Sequence, residues 1–521
     1  MTSKDARLPR QISSPLITRE TLLGLTAISI YAVIGFLTLT NGHDWGDDWA
    51  QYVNHARNLV EGNSYTETGY IFNPHRPHIG PTNYSPGWPI ILALGIQLFG
   101  INFPILKTVS LACLTLSMIP AYYVLRSSLG VTVAAAAILL FGANDFIWAM
   151  RDSLNSEPAY MLLSFMALAI AAIPAHIKPY TSSLLIGLLS YASISIRPIG
   201  ICIPLAVLTS ELLLGRIKSI RFQVVLVTIV AGIVVQKNLL VLPDYSAELH
   251  FPTVSLILSN VEGYWKAIGY IFPPSGKLTR ITVFPLIIAL ALFGIIKRLN
   301  TPKSLAIDTS SAGKSRPQSR VPIELWYAIF YVGLLIALPF APNERYIAPV
   351  LPVILGYAVY GVMSLTAAWP MRRVFLASLS VCCVGYYSAL HIFHASNNDG
   401  GALCKDCVEL YNAIDKSTDS DAEIAFIKPR ALALMTRRRS WVWSDTLESD
   451  DLWNEATEAG VNYLVTVAPS SEFSVDYPKA LSWDGWKSKA GVSIVFENKT
   501  FRLLRIRSSA AKSEAASTLG S

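Results

Sequence analysis

With 521 residues, 52% of them hydrophobic and only 15% charged, and a mean hydropathy of +0.43, the chain has the composition of a protein whose main solvent is lipid. A soluble enzyme of this length carries about 25% charged residues, so that class is excluded. The net charge of +7 does not point to nucleic acid, because Lys and Arg gather between apolar runs, where topology signals lie, and form no patch interleaved with aromatic residues.

In chain order, residues 1–19 are polar with four basic side chains and read as a cytoplasmic N-terminus. The apolar stretch from Thr21 to Thr40 is about 20 residues long, enough to cross a bilayer and longer than a signal-peptide core. Apolar runs near 103–125, 131–149, 158–174, 180–195, 199–214, 222–242, 281–296, 321–340, 347–366 and 374–393 give about eleven spans within a transmembrane part covering 20–395. The run from Pro86 to Gly100 is apolar but short and headed by Pro86, Gly87 and Pro89. Leaving it out places 17 Lys and Arg in inner segments against 8 in outer loops, so it is expected as a surface or re-entrant helix in a first outer loop of residues 41–102. The polar segment from Asn300 to Arg320 reads as a flexible basic cytoplasmic loop.

After His394 the pattern changes to a small extracytoplasmic α/β domain, residues 396–507, followed by a disordered Ser/Ala-rich tail, 508–521. A helix is expected over Asp406–Lys416, a strand in AEIAFIK, a helix in PRALALMTRR and a strand in SWVW. A helix in SDDLWNEATEAG, the strand VNYLVTVA and a hairpin in VSIVFENKTFRLLRI complete it. No Gly-rich phosphate loop is present, which argues against nucleotide binding there. Cys404 and Cys407 permit a disulfide, a redox pair or half a zinc site; with no second pair downstream and an extracytoplasmic setting, a local disulfide is favoured. Cys113, Cys202, Cys382 and Cys383 lie in apolar runs, as small buried hydrophobes do.

The fold class is therefore an α-helical polytopic protein of the inner (plasma) membrane with a soluble C-terminal α/β domain. Ionisable residues converge on its outer side: His43, Asp44, Asp47 and Asp48 after the first span, Arg151, Asp152 and Glu157 between the third and fourth, and Arg345 between the ninth and tenth. Any single loop carboxylate is more simply read as solvated, but their grouping on one side favours a site. The stretch Asp47–Leu59 begins with acids where a helix dipole welcomes them, and Trp49, Tyr52, Val53, Ala56 and Leu59 share one face, so an amphipathic helix on the outer membrane surface is expected. His75, Arg76 and His78 belong to a Pro-rich loop that displays polar groups, with metal or phosphate binding as the sharper alternative. Lys237 and Asn238 are expected near the cavity, His391 and His394 at the interface after the last span, and Tyr264, Trp265 and Tyr270 in an aromatic belt or on a sugar.

The succession DDWAQYVNHARNLVEG, YSPGWPIILALGIQLFG, NSEPAYMLLSF, IRPIG and NERYIAPVLP resembles the GT-C superfamily of integral membrane glycosyltransferases, which includes the protein O-mannosyltransferases and the lipid A aminoarabinose transferases. The resemblance covers most of residues 20–365 in the right order. It implies a polyprenyl-phosphate sugar donor and an acid in the first outer loop as general base. The family pattern of an acid with Tyr four positions on and Ala-Arg eight and nine on fits Asp48, with Tyr52, Ala56 and Arg57, better than Asp47. A second acid usually adjoins on the far side, where Trp49 stands here, so Asp47 stays the alternative. Glu157-Pro158 matches the second acidic motif, Arg345-Tyr346 the pair near the donor phosphate, and Arg197-Pro198 a further motif. Arg76 is a second candidate for the phosphate, and Asp44, Tyr52, Arg151 and Lys237 are candidates for lining the cavity. The expected reaction inverts the sugar on transfer to a lipid A, polysaccharide or protein acceptor in the envelope. It requires no cofactor, although a divalent metal stays open. The rival is a transporter or flippase of lipid-linked sugars, which more often shows internal repeats; none is found here.

Overall fold

The computed structural model describes residues 19–73, 80–173, 177–239, 252–272, 281–301, 321–339, 342–371, 401–442, 460–468 and 492–506, with scattered positions in 374–389 and Ala456. His75, Arg76, His78, His391, His394, the loop 302–320, the SDDLWNEATEAG segment apart from Ala456 and Gly460, and the tail lie outside them.

The bundle is built from α1 (Arg19–Leu37), α3 (Gly87–Phe99), α4 (Phe103–Leu129), α5 (Val131–Ala143), α6 (Asp145–Met150), α7 (Glu157–Ala172), α8 (Pro179–Ile196), α9 (Cys202–Leu213), α10 (Ile220–Leu239), α11 (Val254–Ile268), α12 (Val283–Asn300), α13 (Ile323–Ala337) and α14 (Leu351–Leu365), with α2 (Asp48–Glu61) in the first loop. Among the described residues three helices, Phe103–Leu129, Ile220–Asn238 and Val283–Asn300, are long and apolar enough to cross a membrane by length and composition. The expected count of about eleven spans rests on the shorter apolar helices as well. Many large apolar side chains face outward, among them Leu37, Leu94, Leu98, Val227, Leu258 and Leu286, as a lipid-facing bundle requires.

Two expectations about the bundle change. The run 131–149 is not one helix: it breaks at Asn144, whose side chain accepts a hydrogen bond from the Ile147 amide and so caps α6. The stretch between the apolar runs 222–242 and 281–296, where no span is expected, contains α11, capped by the Thr253 hydroxyl on the Leu256 amide.

The C-terminal part holds α15 (Lys405–Ser417), β2 (Glu423–Ala425), α16 (Pro429–Thr436), β3 (Arg439–Trp441), β4 (Tyr463–Val467), β5 (Val492–Glu497) and β6 (Phe501–Ile506). Helices and strands fall where the apolar patterns put them. The sheet runs β1-β3-β2-β4-β6-β5, and β1 (Tyr70–Ile71) comes from the first loop, pairing parallel to β3 with Tyr70 opposite Ser440. Backbone contacts reinforce this join: the Ala402 amide donates to His43 O at 2.9 Å, and Gly401, with φ +74°, comes so close to the His43 carbonyl that a Cβ would collide with it. Cys404 and Cys407, at the head of α15, are joined by a disulfide.

Helix α2 does not lie with one face in water. All residues from Trp49 to Asn58 are buried, because α3 covers one side and α16 of the C-terminal part the other. Polar side chains in α2 find backbone partners instead of solvent: Asn58 bonds Ser64 O and Glu67 O, and His55 Nδ1–H donates to Tyr65 O at 2.7 Å while its Nε2 accepts from the Tyr84 amide at 3.3 Å.

Candidate active site

Five segments far apart in sequence bring charge together at one end of the bundle. Asp48, the first residue of α2, has a side chain 21% exposed. Its Oδ1 accepts from Tyr84 Oη at 2.6 Å and from Arg430 Nη1 at 3.0 Å, while its Oδ2 is held by Arg345 Nη2 alone. Burial by itself would raise the Asp48 carboxyl; Arg345 and Arg430, with the Tyr84 hydroxyl, outweigh it and hold it well below the usual carboxylate range.

Arg345 sits in a single 3-10 turn, Glu344–Tyr346, between α13 and α14, where the Asn343 side chain caps its amide. Its guanidinium reaches Tyr346 Oη at 3.1 Å and stands 3.6 Å from Glu157 Oε1 through Nε. Glu157 is buried, and its place at the start of α7, ahead of Pro158, suits an acid facing a helix dipole. Arg197 Nη1 lies 2.7 Å from the same oxygen. Pro198 explains that position: the residue before a proline is kept out of the helical conformation, so α8 ends and Arg197 is extended, with φ −145° and ψ 129°. Arg197 also donates to Ser156 Oγ at 2.9 Å, which in turn is 3.1 Å from Tyr52 Oη. The Tyr346 ring lies between the two guanidinium groups, 5.2 Å from Arg197 and 5.0 Å from Arg345.

Asp48, Glu157, Arg345, Tyr346 and Tyr52 thus converge, and Arg197 with them. Other expected residues do not. Asp47 points away from the cluster, accepting from the Ala431 amide at 3.0 Å and the Arg430 amide at 3.4 Å, so it caps α16 across the interface. Burial raises its carboxyl despite nearby Arg430 and the two amides. Arg151 turns to Thr38 O, Thr38 Oγ1 and Trp148 O and packs over the Trp148 ring, so it braces α1 and α6 and does not line the cavity. Asp44 is largely solvated and bonded to His43 and the Gly46 amide. Lys237 is exposed near the end of α10, with no contact to the cluster. Tyr264 is buried, and Trp265 packs edge-on against Phe284 at 5.2 Å.

The residue that sequence reading missed is Arg430. Its side chain is fully buried, stacked on Tyr70 at 4.7 Å and Tyr84 at 5.0 Å, and bonded to Asp48, Tyr84 Oη at 2.8 Å and Pro81 O at 3.0 Å. Gly80, with φ +96°, leaves room for it, since a Cβ there would sit 3.1 Å from both Arg430 Nη2 and Tyr84 Oη. One signal was available: Arg430 is a lone cation in the first turn of the apolar helix PRALALMT, where the dipole disfavours positive charge. Among the described residues no group of three or more His, Cys, Asp or Glu side chains forms a metal cluster.

No family profile and no curated protein matches the chain. Solved structures do match in fold. ArnT from Cupriavidus metallidurans, in a crystal structure bound to undecaprenyl phosphate, superposes with a TM-score of 0.51 at 13% identity, over 94% of this chain and 99% of that one. The oligosaccharyltransferase of Archaeoglobus fulgidus gives 0.57 at 11% identity, over 85% and 68%. The arabinofuranosyltransferase AftD from Mycobacteria gives 0.55 at 12% identity, over 94% and 40%. The chain therefore has the polytopic fold of the GT-C membrane glycosyltransferases that its motifs resemble.

Proposed function

We propose that the protein is an inverting glycosyltransferase that moves a sugar from a polyprenyl-phosphate donor to a hydroxyl acceptor of the cell envelope, lipid A, a polysaccharide or a protein, on the extracytoplasmic face of the plasma membrane. The observation that carries this reading is the carboxylate of Asp48 facing the Arg345 guanidinium, with the Glu157–Arg197 pair directly behind.

The leaving group of such a donor is a stable phosphate anion, so the chemistry needs a base for the acceptor and positive charge for the phosphate more than it needs an acid. Asp48 takes the acceptor proton as the acceptor oxygen attacks the anomeric carbon. The bond from that carbon to phosphate breaks on the opposite face, and its electron pair leaves with the polyprenyl phosphate. Arg345 and Arg197 are the cations placed to receive that charge, and Tyr346, set between them, offers its hydroxyl. Glu157 fixes Arg197 and draws on Arg345, so its part is to aim the two guanidinium groups.

A carboxylate clasped by two arginines is a weak base. Donor phosphate competes with Asp48 for Arg345, and once Arg345 turns to phosphate Oδ2 is released and the carboxylate becomes more basic. Base activation then follows donor binding. No cofactor enters this scheme; a divalent ion could share the phosphate charge, and chelator sensitivity would reveal one.

The test is transfer by the purified full-length protein, given tritiated undecaprenyl-phosphate pentoses and hexoses and an envelope extract. Transfer lost in Asp48→Asn supports the reading, and transfer that persists overturns it. Movement of donor across vesicles without transfer would favour a carrier.

A further inference from the structure

The contact between the C-terminal part and the bundle is more than a covering. Helix α16 is gripped at both ends by α2. Asp47 accepts from the Arg430 and Ala431 amides at its start, and Arg57 Nη1 donates to Leu434 O at 3.2 Å near its end. Each charge complements the dipole end that it meets. Between them Asn54 Nδ2 reaches Arg430 O at 3.5 Å. The grip fixes the one residue of α16 whose side chain enters the site.

Among the described residues two cations hold Asp48, and they differ in what else they address. Arg345 addresses Oδ2, Tyr346 Oη and Glu157, and is 23% exposed; Arg430 addresses Oδ1 and is fully buried. Burying a guanidinium costs several kcal/mol of solvation. Here that cost is offset by Asp48, Tyr84 Oη, Pro81 O and two aromatic faces, and this set of partners fixes the guanidinium against Oδ1.

We propose that Arg430, presented by the C-terminal domain, is a positioning residue of the transfer reaction. With Tyr84 it pins Asp48 by Oδ1, so that Oδ2 alone receives the acceptor's proton, and turnover depends on α16 being docked on α2. This rests on Asp48 being the base. The titratable and charged groups around Asp48 are Tyr52 from α2, Tyr84 from the segment before α3, Glu157 and Arg197 from α7 and the end of α8, Arg345 from the 3-10 turn and Arg430 from α16, while the neighbouring Asp47 is turned to the α16 amides. Of the cations among the described residues only Arg345 and Arg430 touch it.

The experiment compares full-length wild type, Arg430→Met, Arg430→Lys and, as a control that loosens the same interface without touching Asp48, Arg57→Met. Transfer from the tritiated donor that wild type uses is followed against pH, and affinity for undecaprenyl phosphate is measured by titration. Arg430→Met is expected to lower kcat by about 10- to 100-fold. Donor-lipid affinity stays within about twofold, since Arg430 is not placed on the phosphate. The acid limb of kcat/KM moves to higher pH, because an opposite charge that lowered the Asp48 pKa is gone, by about one to three units. Arg430→Lys recovers part of the rate and the original limb, and Arg57→Met leaves the limb in place. The proposal is overturned if Arg430→Met keeps the wild-type kcat and pH profile, or if Arg57→Met reproduces every change. Should Arg430→Met fail to fold, Arg430→Lys decides, and an unaltered kcat there is equally fatal. Equal transfer by wild type and Asp48→Asn removes the base assignment itself, a different failure from a silent Arg430.

Discussion

Two buried charge clusters stand at the same end of the bundle, and they are built on opposite plans. Around Lys107 everything is closed: the ammonium, fully buried on α4, donates to Thr40 O at 3.1 Å, Thr40 Oγ1 at 2.9 Å, Asp152 Oδ1 at 3.0 Å and Gly42 O, and Asp152 also accepts from the Thr40 amide and hydroxyl. These partners are two carbonyls and a hydroxyl of the turn Thr40–Gly42 and the Asp152 carboxylate, so the cluster ties the end of α1 to α4 and to the segment after α6. Around Asp48 the partners are side chains from three other segments, and one oxygen is held, among the described residues, only by Arg345, a partly exposed guanidinium with other partners within reach. The first cluster has no bond it can exchange without loss. The second has one, and that is the difference between a brace and a site.

The comparison breaks first at Asp48. Asp48→Asn should lower transfer by about 10²- to 10⁴-fold while the protein stays folded, the range of a lost general base. Next comes Arg345→Gln, expected to cost about 10²- to 10³-fold in kcat, as for a lost group that stabilises developing charge, and to weaken undecaprenyl phosphate binding in titration. Lys107→Met should do the reverse: it leaves the partly buried Asp152 without its ion partner, held only by the Thr40 amide and hydroxyl, costs about 1–3 kcal/mol in chemical denaturation and leaves kcat per folded molecule unchanged.

A smaller effect separates two neighbouring acids. Asp47→Ala removes a cap from α16 and should cost about 1 kcal/mol, whereas Asp47→Asn, which keeps one acceptor oxygen for the Ala431 amide and loses the one facing the Arg430 amide, should cost less. His55 adds a pH dependence. Burial, with Arg430 nearby, outweighs its bond to Tyr65 O and pushes the imidazole down to about 4. The unfolded chain therefore binds a proton near pH 6.5 that the folded one refuses, so stability is complete above that pH and is lost as pH falls from about 6.5 towards 4. Thermal midpoints measured across that window should drop in wild type and stay flatter in His55→Gln. Asp44→Asn, at a solvated carboxylate, should change neither rate nor stability.

The helices and strands were legible where periodicity was strong. α15, α16, β3 and β4 lie within one or two residues of their apolar patterns and β2 within three, because their apolar side chains are buried in small cores on the sheet. Asp48, Glu157, Arg197 and Arg345 could be singled out as motif residues beside span ends. The partition between Asp47 and Asp48 could not, since it depends on a helix more than 380 residues away. Nor could the burial of α2: its polar face looked made for water, and only the docked α16 and the loop carbonyls at Tyr65, Ser64 and Glu67 replace water there. Arg151 and Lys237 were read as cavity residues from proximity along the chain. Side-chain direction decides against both. Arg430 offered one local conflict, a cation at the wrong end of an apolar helix, and such conflicts mark function more often than strain.

The central claim is that Asp48 deprotonates the acceptor while Arg345 takes the phosphate. The most direct test is single-turnover transfer by the purified protein from a tritiated undecaprenyl-phosphate sugar, wild type against Asp48→Asn, with undecaprenyl phosphate affinity measured on both. The account predicts that the variant binds undecaprenyl phosphate at least as tightly, because Arg345 is freed from its carboxylate, and transfers essentially no sugar. Undiminished transfer by Asp48→Asn, or loss of lipid binding along with transfer, would contradict it.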